Sequence, residues 1–311
     1  MPYGVGGNAR IRTNISAQNA YNSLEISNRD ISNRQLRLST GKRINNAADD
    51  VAGYITSRAL SARNGALKAA LKAVGDAQNV SYIIMDSLDN IASLVEDIKN
   101  STATATSGAM GTSEKVALSK AASRMVNQIQ TVIETTVFGG RQLIDGAYSS
   151  NFVVGTNAVF DLITLAVDLT TSNKDFNVEG DDFNMNSLSV GNFAGVEGLD
   201  MREFDNTNSE DLGIFEESVI GETLTSLAKA IENVNKVAAY VGGVVNRLNS
   251  QEFIINGQIV NYNAAISRIE DADVAQEQLN LVKSQFLQQS SLTSLAQANQ
   301  NPQAFLRLIQ Q

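Results

Sequence analysis

Apolar residues recur at alternating steps of three and four between Leu224 and Ile269, which is the a/d spacing of a coiled-coil seam. The positions are Leu224, Leu227, Ile231, Val234, Ala238, Val241, Val245, Leu248, Glu252, Ile255, Ile259, Tyr262, Ile266 and Ile269. Glu252 is the one charged residue among them. A helix of this span is about 68 Å long and cannot bury its own seam. The pattern therefore predicts long helical partners in the same chain or in other copies of it.

Two more segments have the apolar pattern of long core helices. One seam runs over residues 60–98 and another over residues 118–136. A stretch rich in Ser, Thr and Gly at 101–113 separates them and predicts a turn. Because all three seams have the same spacing, we expect these two helices and the helix over 224–269 to bury one another in an antiparallel bundle.

Both ends of the chain carry thinner seams. The N-terminal seam consists of Ala17, Leu24, Ile31 and Leu38 and stops near Gly41. The C-terminal seam consists of Ala275, Leu279, Val282 and Phe286. Neither seam is wide enough to keep a helix folded alone. We therefore expect residues 1–44 and 271–311 to form paired helices that become ordered against each other and against neighbouring molecules.

The middle of the chain has a different pattern. Phe138-Gly139-Gly140 interrupts the helical spacing, and strand-like runs at 151–154 and 159–169 predict a small β-hairpin region. These hairpins complete a core rod domain over residues 45–170 and 219–270.

Residues 171–218 are rich in Asn, Asp, Glu, Gly and Ser, which indicates a short, variable, surface-exposed segment with little core of its own. The acidic run at 179–182 lacks the spacing of a calcium loop, so we expect no metal there. The predicted fold class is mainly α: a long antiparallel helical bundle or coiled coil of discontinuous N- and C-terminal segments, with small hairpins in the middle.

The composition narrows the chemistry. The chain of 311 residues has no Cys and no His, which excludes Cys-or-His zinc sites, Ser-His-Asp and Cys-His catalysis, and haem held by His. It has only 2 prolines, at the ends, so nothing between them forces a long helix to break. These exclusions favour a structural protein with no active site and no cofactor.

The charge and the apolar runs bear on partners and location. The net charge of −9, without a long basic block, argues against nucleic acid or an anionic membrane as a partner. The longest nearly apolar run, residues 237–245, is too short to cross a bilayer, so we expect no membrane insertion. The first residues, MPYGVGGNARIRTN, lack the apolar core of a signal peptide. We expect any export to proceed without a cleaved signal.

Two distant motifs resemble those of a known family. RINNAADDVAG at 43–53 resembles the N-terminal core motif of bacterial flagellin, the subunit of the flagellar filament. SRIEDADVAQE at 267–277, followed by LAQANQ at 295–300, resembles its C-terminal motif. The motifs stand in the right order and at the right ends, which makes the resemblance specific. Residues 1–9 extend the chain beyond the family pattern.

The resemblance implies a fold and a set of partners. Terminal helices pair into an inner tube, core helices surround it, and the middle of the sequence faces outward. The implied function is a homopolymer, a helical filament for swimming motility, outside the cell. The implied partners are the flagellar cap, the hook–filament junction proteins, the type III export apparatus and an export chaperone.

The same resemblance, together with the thin seams, indicates residues for assembly. Charges cluster in both halves where the tail helices meet the rod, and charges brought together at a subunit boundary can fix register. The alternative is that they cap helices within one chain. The predicted assembly residues are Leu24, Ile31, Leu38, Arg43, Ile44, Asn45, Asp49, Asp50, Arg268, Ile269, Glu270, Asp271, Asp273, Leu279 and Phe286.

Three other functions compete with a filament subunit. A hook–filament junction protein has termini of the same type and differs in abundance, because a junction ring needs few copies. An enzyme carried in the middle is disfavoured by the missing His and by the small size of 171–218. A type III translocator needs an apolar span that the chain lacks.

The resemblance also predicts how the animal innate receptor for flagellin responds. In recognised flagellins the receptor contacts a Gln-Arg pair on the first long core helix and a Leu four residues after the Arg. Alignment on RINNAADDVAG without gaps places Glu96 and Asp97 at the pair and Ser101 at the Leu. A reversed charge replaces attraction by repulsion, so we expect weak or absent activation.

A cell reporter assay with monomeric protein measures this, and the double change Glu96→Gln with Asp97→Arg should restore part of the signal. Activation at the concentrations that suffice for a recognised flagellin contradicts the prediction.

Overall fold

The computed structural model of the chain describes residues 13–156, 162–170, 173, 193–208, 212–216 and 218–309. Within these residues the fold is mainly helical, as predicted. The helices are α1 Ile15–Thr40, α2 Val51–Ala105, α3 Thr112–Thr135, α4 Ile220–Glu270 and α5 Val274–Ile309. The strands are β1 Val137–Phe138, β2 Arg141–Gln142, β3 Ser149–Thr156 and β4 Leu162–Asp168.

The described residues fall into two compact units. The first unit contains the residues up to Asn64 and those from Val260 onward, and the second contains those from Gly65 to Ile259. Both units are built from N-terminal and C-terminal parts of the sequence. The long helices α2 and α4 contribute residues to each.

The predicted core seams are confirmed. In α2 the seam is fully buried at Leu67, Val74, Ile84, Leu88, Ile91, Val95 and Ile98. In α4 no residue of the 224–269 series is exposed, since each is buried or half-buried. Glu252, the charged residue in that series, is accommodated by a partner on α2, because Gln78 Nε2 donates to its Oε2 at 2.9 Å. The helix α2 is longer than its seam predicted and begins at Val51.

The helices α1 and α5 pair in antiparallel fashion in the first unit. Asn14 Nδ2 donates to the carbonyl of Ala298 at 2.7 Å near one end of the pair. At the other end, an ion pair joins Arg34 to Glu277. Leu24, Ile31 and Leu38 are half-buried, as their seam predicted. The side of α5 that packs against α1 contains Glu277, Leu281, Ser284 and Ala298, all buried.

The predicted packing seam of α5 is wrong. Leu279, Val282 and Phe286 are 62%, 46% and 73% exposed. They lie roughly opposite the α1-facing residues on the helical wheel, because residues repeat every 3.6 positions around a helix. The α1-facing side instead offers small side chains, which allow close approach, and one carboxylate, which the arginines of α1 bind.

Two hairpins follow α3. The turn between β1 and β2 is Gly139-Gly140, whose positive φ values of 59° and 80° suit a tight hairpin turn. The strands β3 and β4 pair antiparallel with a bulge between Val153 and Gly155. Gln251 of α4 donates to the carbonyl of Val154 at 2.8 Å, which attaches this hairpin to the helix. The hairpin prediction is confirmed, although the strand start expected at residues 159–161 lies outside the described residues.

The prediction of an exposed segment with little core at 171–218 is wrong for residues 193–208 and 212–216. Phe193, Phe204 and Phe215 are at most 2% exposed, and the rings of Phe204 and Phe215 meet edge to face at 5.7 Å. Ser119 of α3 donates to the carbonyl of Phe204 at 2.7 Å, and Asn233 of α4 donates to that of Ala194 at 2.9 Å. Short 3-10 turns replace the periodic elements that a sequence pattern can detect. The acidic run at 179–182 lies outside the described residues.

The packing of this segment predicts a large cost for losing one ring. Phe204→Ala should lower the free energy of unfolding by about 3–5 kcal/mol, because it leaves a cavity in a closed core. Phe253→Ala is a matched control, since Phe253 is 81% exposed, and its effect should stay within about 0.5 kcal/mol. Urea unfolding followed by circular dichroism measures both. Equal effects of the two substitutions contradict the packed segment.

Candidate functional site

The N- and C-terminal parts of the chain meet where α1 ends and α5 begins. We call residues 41–50 and 267–273 the junction. Gly41 ends α1 with a φ of 69°, and its carbonyl accepts from the backbone N–H of Ala272 at 2.9 Å. The backbone N–H of Arg43 donates to the carbonyl of Glu270 at 2.6 Å. Backbone bonds thus connect two segments that are far apart in the sequence.

The loop of the RINNAADDVAG motif is held by its own acidic side chains. Asp49 Oδ2 accepts from the backbone N–H groups of Asn45 and Asn46 at 3.0 and 2.9 Å. The bond from Asn46, followed by that from Asn45, holds the pKa of Asp49 below its ordinary value. Asp50 Oδ1 accepts from the N–H of Gly53 at 2.9 Å and thereby caps α2. These are the helix-cap and turn roles that the sequence left open.

A glycine in this motif makes room for an apolar side chain. A Cβ on Gly53 would lie 2.7 Å from Cδ1 of Ile44 and 2.6 Å from Oδ2 of Asp50. Ile44 itself is 4% exposed. Ile44 is thus buried within the single chain, and its assignment to a surface between subunits stays a prediction. It stabilises the junction of a single subunit.

Charged pairs link the two halves of the junction. Lys42 Nζ lies 2.8 Å from Glu270 Oε2, and the guanidinium of Arg43 donates to the carbonyl of Ile269 at 2.8 Å. The hydrogen bond from Lys42 is the largest cause that lowers the pKa of Glu270. The longer pair, Arg43 with Asp50, is 3.7 Å apart.

The remaining predicted charges of the junction, Asp273, Asp271 and Arg268, do not form ion pairs of this kind with described residues. Asp273 Oδ1 accepts from the N–H of Gln276 at 3.1 Å and caps the start of α5. Asp271 forms a backbone bridge with Lys42, and its side chain is exposed. Arg268 is also exposed. Most of the predicted charges therefore have side-chain partners within the chain, and the side chains of Arg268 and Asp271 are exposed to solvent.

One strong interaction was missed from the sequence. Glu277 Oε2 lies 2.7 Å from the guanidinium of Arg34, and Oε1 lies 3.3 Å from that of Arg37. Burial by itself raises the pKa of Glu277, but the hydrogen bonds and charges of the two arginines outweigh it and hold the pKa below its ordinary value. Arg34 and Arg37 lie three residues apart, on the side of α1 that carries Leu38. This spacing was the available signal, because residues at i and i+3 share a helix face.

The outward side of α5 is the largest apolar feature among the predicted assembly residues. Leu279 and Phe286 contact solvent over more than half of their surface, with Val282 between them. Contiguous apolar exposure of this kind marks an interaction surface. We call Ala275, Leu279, Val282 and Phe286 the outward stripe.

Metal-ligand clusters and membrane spans are absent from the part of the chain that the structure describes. No group of three or more acidic side chains there could hold a metal ion. No described helix combines the length and the apolar content of a membrane span.

Comparisons with known proteins agree with the two-ended resemblance. Residues 11–149 match the family model of the bacterial flagellin N-terminal helical region, and residues 224–309 match that of the C-terminal helical region. Together these matches cover well over half of the chain.

Similar proteins match over nearly the whole length. A flagellin of Bacillus subtilis is 28% identical over 96% of this chain and 99% of its own, and a flagellin of Listeria monocytogenes is 25% identical over the same shares. The structure of a putative flagellar hook-associated protein from Vibrio parahaemolyticus has a TM-score of 0.55 with 12% identity, covering 72% of this chain and 100% of that one. It shows the fold alone.

The full-length relatives are flagellins, so the junction-protein alternative is not favoured. Neither is an enzyme, because flagellins are structural proteins. The two matched regions contain the helices that pair across the chain. These matches establish that the chain belongs to the bacterial flagellin family, whose members polymerise into the flagellar filament.

Proposed function

We propose that this flagellin assembles through the outward stripe of α5, which binds a second copy of the chain in the filament. The observation that supports this is the orientation of α5. Its other side already packs against α1, while Leu279 and Phe286 lack an apolar cover in the single chain. Burial of such side chains contributes about 1.5–3 kcal/mol each. A homopolymer provides that burial repeatedly, and electron microscopy of purified protein tests for filaments.

The half-buried seam of α1 lies on the other side of α5 from the outward stripe. Leu24, Ile31 and Leu38 face α5 and remain partly accessible. In the proposed filament the paired end helices, residues 1–44 and 271–311, form the inner tube. The core helices over 45–170 and 219–270 surround it, and residues within 171–218 face outward.

The exposed charges of the junction have a separate role in this proposal. Arg268 and Asp271 remain available to a neighbouring subunit, where opposite charges fix register more than they stabilise. The other predicted residues stabilise the junction within each subunit: Arg43, Ile44, Asn45, Asp49, Asp50, Ile269, Glu270 and Asp273. Two classes of residue thus act at one place, one within the subunit and one between subunits.

Further partners follow from family membership. The filament grows beneath a cap and begins at hook–filament junction proteins. The subunit reaches it through the type III export apparatus, escorted by an export chaperone. Pull-down of the chain with each candidate partner, using a variant lacking residues 275–311 for comparison, tests these contacts.

The outward stripe predicts a position-specific assembly defect. Phe286→Ser should prevent or strongly shorten filaments, because it removes the largest apolar group of the stripe. Leu287→Ser is a matched control: Leu287 is 51% exposed but lies about 100° away around the helix. Electron microscopy and light scattering measure assembly, and circular dichroism checks that helix content is unchanged. Normal filaments from Phe286→Ser contradict the proposal.

The junction predicts a contrast between two charged residues. Asp50→Ala removes the cap of α2 and should lower the free energy of unfolding by about 0.5–2 kcal/mol. Arg268→Ala should leave that free energy within about 0.5 kcal/mol and still impair filament formation. Thermal unfolding of the monomer and motility of cells carrying each variant provide the measurements. A fall in unfolding temperature for Arg268→Ala as large as that for Asp50→Ala means that Arg268 acts in folding.

A further inference from the structure

Hydrogen bonds and ion pairs connect α1 to α5 at several positions. Beside the bond from Asn14 to Ala298, Gln288 Nε2 donates to Asn28 Oδ1 at 2.6 Å. Among the residues of α5 whose burial is described, Leu281 is the one large apolar residue of the α1-facing side below a tenth exposed, beside two small ones. Leu24, Ile31 and Leu38 of α1 are half-buried, so charged groups act on this pairing beside a thin apolar seam.

Glu277 is the buried charge of this pair. Its side chain is 9% exposed, and those of Arg34 and Arg37 are 28% and 25% exposed. Each carboxylate oxygen faces a different arginine. The exposed pair of Glu25 and Arg29 on α1 has 55% and 72% exposed side chains and shows what an ordinary surface contact looks like in the same helix.

The charges around Glu277 come from each neighbouring element. From α1 there are Arg34 and Arg37, and Arg37 also acts on Asp49 of the junction loop. On its own helix, the carboxylate of Asp273 lies one turn away, occupied by the N–H of Gln276. If Glu277 were protonated, Arg34 and Arg37 would lose their carboxylate partner. The negative charge of Asp49 would then compensate only part of the charge of Arg37.

We propose that Glu277, bound by Arg34 and Arg37, is an acid-labile clamp that makes the α1–α5 pair the first part of the chain to separate as the pH falls. A buried carboxylate that loses its charge no longer binds two guanidinium groups, and the apolar contacts around it are too few to compensate. In the described part of the second unit the helix seams are apolar. Its carboxyl groups with a lowered pKa are Asp200 and Asp205, whose side chains are 24% and 71% exposed and therefore less buried than that of Glu277.

The direction of the pH effect follows from linkage. The pKa of Glu277 is lowered in the folded state, so its contribution to stability is fully present above the ordinary glutamate value of about 4.3. The contribution is lost as the pH falls from that value through the lower folded-state value. The contribution of Glu277 to stability should not change with pH near neutrality, because the carboxylate stays ionised there.

The clamp is tested by comparing filaments of Glu277→Gln with filaments of the unaltered protein. This experiment rests on the proposed function, because it requires that the chain assembles. The midpoint of thermal dissociation should fall by several degrees at pH 7 relative to the unaltered protein. The difference should shrink by more than half between pH 6 and about pH 3, well below the ordinary glutamate value, because acid removes the same charge from the unaltered chain. Glu25→Gln is the matched control and should change the midpoint at neither pH. Hydrogen exchange should place the acid-induced opening in α1 and α5 ahead of the second unit.

The results separate this inference from the function on which it rests. If the unaltered chain forms no filaments, the proposed function fails, and the same comparison is made by hydrogen exchange on the monomer. A difference for Glu277→Gln that stays constant with pH overturns the clamp, as does an equal effect of Glu25→Gln. If Glu277→Gln does not assemble, Glu277→Asp keeps the charge and should retain the acid dependence. Loss of that dependence in Glu277→Asp also overturns it.

Discussion

Antiparallel pairing between the two ends of the sequence is the constraint on which the structure depends. Gln78 binds Glu252 and Arg34 binds Glu277, partners separated by 174 and 243 residues. The long helices α2 and α4 each bury an apolar seam that is costly to expose. Neither half of the chain can therefore fold fully without the other. This explains why the two regions that match the family models stand at opposite ends.

The two units differ in the kind of contact that pairs their helices. In the second unit, residues such as Leu88 and Val241 bury themselves completely, which favours a fixed rod. In the α1–α5 pair, hydrogen bonds and the Glu277 ion pairs provide most of the specific contacts. Polar contacts lose little when water replaces them. A helix pair held in this way can form and separate more readily than the rod, which suits ends that must become ordered during assembly.

The sequence predicted the elements whose period is regular and whose partner is apolar. The seams around Leu248 and Ile91 were found because a repeat of three and four needs only one kind of neighbour. The packing of Phe193, Phe204 and Phe215 could not be predicted, because their spacing follows short irregular turns and their partners lie on α3 and α4. The Glu277 clamp was missed for a related reason: a charged residue in a thin seam is indistinguishable from a solvated one until its partners are placed.

The error in α5 is the most informative for function. The pattern of Leu279, Val282 and Phe286 was correctly recognised as a stripe, but hydrophobic periodicity does not reveal which molecule covers it. In a monomeric protein the widest apolar stripe faces the core of its own chain, because no other cover exists. Here that stripe faces solvent, and a narrower side with Glu277 and Ser284 packs against α1. A helix with its stronger apolar side outward gains stability when another molecule covers that side, so the wrong packing prediction and the proposed assembly surface have one physical cause.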